Sequence, residues 1–185
     1  MAGVQVHVRI ALVKVCCKDT ADRLGGDSLY IAGGVICDGH RTAVLTYPFA
    51  ASEDHTVSFA RNEAVLFQST VRSSDTLHVG LAAYRENFTK DWGKNYRPIL
   101  KAMTGTVDAM PSDGADWQLT DACERVRTEF ADVFGTDVLL GALTFCLPVS
   151  GLHAGEKLWS VKGSSGMGNW DYAVIYRIGK AAVPE

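Results

Sequence analysis

Clustered positive charge is missing from this sequence. Its 18 lysines and arginines are scattered among 21 acidic residues, for a formal charge of -3. Phosphate backbones are held by grouped cations, so a nucleic-acid-binding domain is excluded. Long hydrophobic runs are missing too: none approaches the ~20 residues that cross a bilayer, and no transmembrane segment is expected. The start, Met1 to Arg9, has no basic flank leading into a continuous apolar run, so no secretory signal is visible. A cytoplasmic location follows as the expectation, with release by a non-classical route left open. No Cys-x-x-Cys pair occurs, and the five cysteines (Cys16, Cys17, Cys37, Cys123, Cys146) are odd in number and irregularly spaced. That pattern suits buried free thiols in a reducing compartment better than a disulfide framework. The five histidines stand singly, which gives a zinc site no support. Residues 163–168 are glycine-rich but lack the lysine of a phosphate-cradling loop, and they read as a hairpin turn.

What the chain does have is β-strand pattern. With 185 residues, 47% hydrophobic and 21% charged, it has the size and composition of one globular domain. Val4, Val6, Val8, Ile10 and Leu12 alternate with polar neighbours, and the apolar phase then slips by one at Val13 and Val15. The alternation predicts a half-buried strand, and the slip predicts a bulge at 11–13. Residues 29–37 form a second apolar stretch, and Asp38-Gly39 is a hairpin turn signal before a third at 41–49. Strands are also predicted over 64–67, 76–84, 138–147, 156–162 and 169–178.

Between 84 and 138 the period changes. Trp92, Tyr96, Ile99, Leu100 and Met103 recur at helical spacing, with Pro98 expected to kink that helix or mark its first turn. Residues 119–134 carry the strongest helical stripe, Ala122, Val126, Phe130 and Val133 or Phe134. Thr120 or Asp121 is placed to cap its start and Gly135 to end it. Strands that do not alternate with helices cannot make a parallel sheet. The expected fold is all-β: a single domain over 1–185, an antiparallel two-sheet sandwich of about eight strands, with a pair of helices inserted at about 88–135.

Two constellations bear on chemistry. Gly26-Asp27-Ser28-Leu29 spells the nucleophile motif of a serine esterase family, and Asp75-Thr76-Leu77-His78 supplies an Asp-x-x-His. A serine nucleophile needs a buried strand before it, a helix after it, and a histidine within hydrogen-bond reach. Here a charged loop precedes Ser28 and a strand follows, so catalysis is not expected. The second constellation is acidic: Asp19, Asp22 and Asp27 in one loop, Glu86 and Asp91 after a later strand, and Asp137 where the insertion ends. Calcium takes six to eight oxygen ligands, often carboxylates on neighbouring loops, so these six are the candidate calcium ligands.

The strand followed by residues 19–31, Asp-Thr-Ala-Asp-Arg-Leu-Gly-Gly-Asp-Ser-Leu-Tyr-Ile, resembles the first calcium loop of the calcium- and lipid-binding sandwich domains of protein kinase C and synaptotagmin. Residues 136–145 resemble the Asp-Asp-x-x-Gly segment that leaves the third calcium loop, and residues 170–176 are similar to the closing strand of bacterial members with helices in that loop. The resemblance implies a sandwich fold and, at its loops, calcium and phospholipid contact. Ser28-Leu29-Tyr30 stands where that pattern has Asp-Pro-Tyr, and Thr136 replaces the first aspartate of the pair. The loops are therefore expected to be only partly equipped.

Trp92, Tyr96 and Trp117 fall in the insertion, and large aromatics there could form a partner surface. The functional expectation is a non-catalytic binding or assembly module, with a protein partner or self-association and no required cofactor. A calcium-dependent peripheral phospholipid-binding domain is the alternative, and an esterase using Ser28 the distant one.

Overall fold

The computed structural model describes residues 4–20, 26–60, 64–87, 90–111, 116–165 and 168–183. Among these the strands are β1 (Gln5–Asp19), β2 (Asp27–Cys37), β3 (His40–Leu45), β4 (Phe49–Ala51), β5 (Thr56–Ser58), β6 (Val65–Arg72), β7 (Thr76–Glu86), β8 (Val138–Pro148), β9 (Gly155–Ser165) and β10 (Gly168–Ala182). Three helices, α1 (Trp92–Asp108), α2 (Asp116–Glu129) and α3 (Ala131–Phe134), fill the connection between β7 and β8. None is long and apolar enough to cross a membrane.

All pairings are antiparallel, and they build two sheets. One runs β1–β10–β9, with β5 and β6 sharing the outer edge of β1; the other runs β2–β7–β8, with β3 and β4 sharing the outer edge of β2. Ten segments thus occupy eight strand positions, which is why the periodicity yields about eight. Each shared edge is broken for a local reason. Pro48, between β3 and β4, has no N–H to donate to a ladder. Thr46 takes over beside the break: its backbone N–H donates to the Ile31 carbonyl and its hydroxyl accepts from the Ile31 N–H, both at 2.9 Å. In the other sheet the expected bulge is present, the register slipping between Leu12 and Lys14. There the edge partner of β1 changes from β6 to β5, and the Val13 carbonyl accepts from Phe59 N–H at 2.9 Å.

Between the sheets lies the main core, where Ile10, Val35, Phe67, Leu77, Val79 and Tyr172 are almost wholly buried. A second apolar layer lies on the outer face of the β2–β7 sheet, where Tyr30, Ala32, Ala82 and Tyr84 meet Trp92, Ile99 and Met103 of α1, Cys123 and Val126 of α2, and Phe134 of α3. Burying Ile99 and Met103 contributes about 2–3 kcal/mol each. The insertion therefore covers a sheet face, and the molecule has three layers. That accounts for the continuous apolar runs of β2 and β7, since strands covered on both faces have no solvent side to alternate toward. Gly34 permits this close approach, because a Cβ there would stand 2.8 Å from Leu119 Cδ2.

The helical pattern read over 119–134 is divided in the structure. Phe130, at φ -106° and ψ 39°, separates α2 from α3, and the turn carries Phe134 onto Tyr30, with ring centroids 5.9 Å apart. Pro98 lies inside α1, which starts at the Asp91 cap and runs to Asp108, beyond the last residue of the predicted stripe, Met103. Asp38, at φ 52°, and Gly39 make the β2–β3 turn as expected.

Burial raises several acidic protons. The Cys37 thiol is pushed up to about 12 and Cys123 to about 12, while Cys17 reaches about 11 through burial reinforced by Asp27 and Asp19. The Tyr30 and Tyr84 hydroxyls also rise, chiefly from burial. Groups whose folded pKa is raised stabilise the fold fully below their unfolded value, and that contribution is lost as pH climbs through the folded value. The melting temperature is therefore expected to hold up to about pH 9 and to fall steadily above it. Thermal melts across that range in a reducing buffer check this; a flat profile to pH 11 would contradict it.

Candidate functional site

The polar residues of interest gather where β2 starts, β7 ends and β8 starts. Antiparallel pairing sets Ser28 opposite Glu86, while Arg85 lies opposite Val138 of β8. The chain leaving β7 therefore passes close to the residues that lead into β8, and Lys90 comes down between them.

Lys90 Nζ lies 2.6 Å from Asp137 Oδ1 and 3.7 Å from Glu86 Oε1. The three side chains are only 7%, 2% and 5% exposed, so this is a buried ion cluster rather than a surface pair. Its remaining valences are filled. The Tyr30 hydroxyl donates to Asp137 Oδ2 at 2.9 Å and the Asn87 N–H to Asp137 Oδ1 at 3.2 Å. Glu86 accepts from Ser28 Oγ at 2.7 Å, Trp92 Nε1 at 2.8 Å and the Lys90 N–H at 3.0 Å. The Asn87 side-chain amide donates to the Thr136 carbonyl and accepts from Arg85 at 3.1 Å. Asp27, buried beside this group, accepts from the Tyr172 hydroxyl and lies 3.9 Å from Arg85 Nη1.

Of the six candidate calcium ligands, Asp27, Glu86 and Asp137 are thus brought to one end of the sandwich, each engaged by donors of the protein itself. Asp91 caps α1, accepting from the Lys94 N–H at 3.0 Å. Asp19 is exposed at the end of β1, in register with Asp171 of β10. Asp22 lies outside the described residues. Among the described residues no group of three or more metal-ligating side chains is arranged to hold an ion. The donor set explains this, because the central position between Glu86 and Asp137 is taken by an ammonium.

Lys90, Tyr30, Asn87, Arg85 and Tyr172 had no part in the acidic pattern. Only Lys90 left a trace, standing four residues after Glu86. Tyr30, Arg85 and Tyr172 reach their partners through strand pairing and sheet packing, which no short spacing encodes.

The esterase constellation is not assembled. Ser28 pairs with Glu86 and Ile36 with His78 on the same ladder, which separates serine and histidine by eight strand positions, roughly 26 Å. The Ser28 hydroxyl is spent on Glu86.

The insertion aromatics part company. Trp92 is buried against Tyr30, with ring centroids 5.3 Å apart. Tyr96 is half-buried, donates its hydroxyl to the Leu45 carbonyl at 2.7 Å, and stacks at 4.1 Å on Tyr47, which is 57% exposed. The side chain of Trp117 lies outside the described residues.

The strand order and register make this chain a two-sheet antiparallel β-sandwich. No protein-family model matches the sequence, and no curated protein matches it. Solved structures similar to the chain include human GIVD cytosolic phospholipase A2 in complex with methyl gamma-linolenyl fluorophosphonate, at 10% identity and a TM-score of 0.44 over 100% of this chain and 18% of that one. They also include the C2A domain of plant extended synaptotagmin 1, at 9% identity and a TM-score of 0.34 over 100% of this chain and 99% of that one. The chain spans less than a fifth of the phospholipase, and the sandwich described above rests on its own pairings.

Proposed function

We propose that this sandwich is a non-catalytic binding or assembly module that works through protein surfaces and needs no calcium. The observation that supports this reading is the Lys90 ammonium, 2.6 Å from Asp137 and 3.7 Å from Glu86, between the carboxylates that a calcium ion would have to share. A divalent ion there would have to displace a buried cation together with the hydroxyl, amide and indole donors around it. Carboxylates already held by the protein's own donors suit a scaffold whose shape does not depend on an ion.

Calcium titration separates this from calcium-triggered phospholipid binding. A ligand held only by the folded state raises its stability, by about 2.7 kcal/mol at a hundredfold excess over the dissociation constant. The expected result is a melting temperature that moves by less than about 1 °C between chelator and millimolar calcium, with no calcium-dependent gain in sedimentation with phosphatidylserine vesicles; at this chain length about 1 kcal/mol is worth 2–4 °C. A rise of several degrees, together with calcium-dependent vesicle binding, would overturn the proposal.

A further inference from the structure

The four sheet margins are not alike. The β3/β4 margin is broken at Pro48 and carries His40 and Arg41; the β5/β6 margin is broken between residues 58 and 65 and carries Arg72. β9 carries Glu156, Lys157 and Lys162. Breaks and charges of this kind are how natural sheets prevent edge-to-edge pairing. β8 has neither. From Val138 to Leu147 it contains no charged residue and no proline, and from Gly141 to Pro148 it pairs with β7 in unbroken register. Among the described residues no strand pairs with its other side.

The core is also incomplete along this margin. Leu143, Phe145 and Leu147 face the sandwich interior directly opposite Leu81, Val79 and Leu77 of β7. The β7 residues are 2%, 1% and 0% exposed, whereas Leu143 and Phe145 are half-buried and Leu147 is 43% exposed. At the far margin of the same sheet the matching interior positions are Val44, Thr42 and His40, opposite Gly33, Val35 and Cys37. Two of those three positions are polar, as at an edge facing water. The β8 edge continues the apolar core outward.

We infer that β8 is an interaction edge and that its occupant is a second copy of this chain, joined β8 to β8 in antiparallel register about a two-fold axis. A strand without charge pairs with itself in any register without bringing like charges opposite one another. With the axis at Thr144, Leu143 of one copy falls opposite Phe145 of the other on the same face. The two interiors then join into one core, and a two-fold contact closes after two copies. This inference rests on the assembly reading above and names its partner.

Sedimentation equilibrium or native mass measurement of the full chain, with the double variant Ala142→Lys/Thr144→Lys alongside, provides the test. Both positions are exposed, so the lysines need not disturb the interior. The wild type is expected at twice its 20.0 kDa chain mass. The double variant is expected at the single-chain mass, its dissociation constant raised at least about 100-fold, with an unchanged far-UV circular dichroism spectrum. Leu158→Lys on β9, at a side chain 62% exposed, should leave the dimer intact and serves as the control for added charge. A wild type that stays single-chain at ~200 µM, some hundredfold above a micromolar dissociation constant, overturns the inference whether or not the variant folds. The assembly reading is judged separately, by the calcium and vesicle titration. An oligomer that survives the paired lysines overturns the β8 edge and leaves assembly standing.

Discussion

Lys90→Met is expected to destabilise the protein by about 3–5 kcal/mol, the cost of leaving buried carboxylates without their cation. Methionine keeps the length and much of the volume of the lysine stem, so the loss reports on charge rather than on a cavity. Asp137 would be left with only the neutral donors Tyr30 and Asn87, and Glu86 with Ser28, Trp92 and a backbone N–H. Urea unfolding measures the difference. Adding Asp137→Asn to Lys90→Met should recover a large part of it, since the amide removes the stranded charge. A loss of only about 1 kcal/mol, the size of an exposed pair, would show that the cluster is hydrated and would remove the main support for calcium independence.

Gly33→Ala is expected to be severely damaging for the addition of a single methyl group. Gly33 sits mid-strand in β2 at φ +153°, where side chains are rarely accommodated. A Cβ there would fall within contact distance of the Gly80 carbonyl oxygen and 2.8 Å from the Leu81 Cα. Both are backbone atoms of β7, held on their other side by β8, so relief requires moving the ladder. Strain and overpacking together amount to about 3–5 kcal/mol, a large share of a domain's stability. The neighbouring Gly34→Ala is the comparison. Its Cβ would press on the flexible ends of Leu119 and Val107, so a cost of about 1–2 kcal/mol is expected. Equal losses at the two positions, measured by urea unfolding, would contradict this account.

Both expectations depend on neighbours distant in sequence, and that marks how much was legible beforehand. Alternation in β1, the slip at Val13 and the Asp38-Gly39 turn are local patterns, and each has its counterpart in the structure. The acidic residues were visible as a set, and two of them, Glu86 and Asp137, do converge on one cation. Their meaning was not visible, because Tyr30 and Tyr172 come from strand interiors and reach Asp137 and Asp27 across 107 and 145 residues.

The sequence by itself determined the material: antiparallel strands with a helical insertion between residues 84 and 138, because periods of two and 3.6 residues are written locally. The tertiary structure alone decided where that insertion lies and what fills the acidic end. The helices cover one sheet and convert its central strands, β2 and β7, into a doubly buried layer. Lys90 closes Glu86 and Asp137 into an ion cluster, because burial makes an unpaired charge far too costly to leave. Neither outcome follows from residue order, since both depend on which surfaces the strand pairings bring face to face.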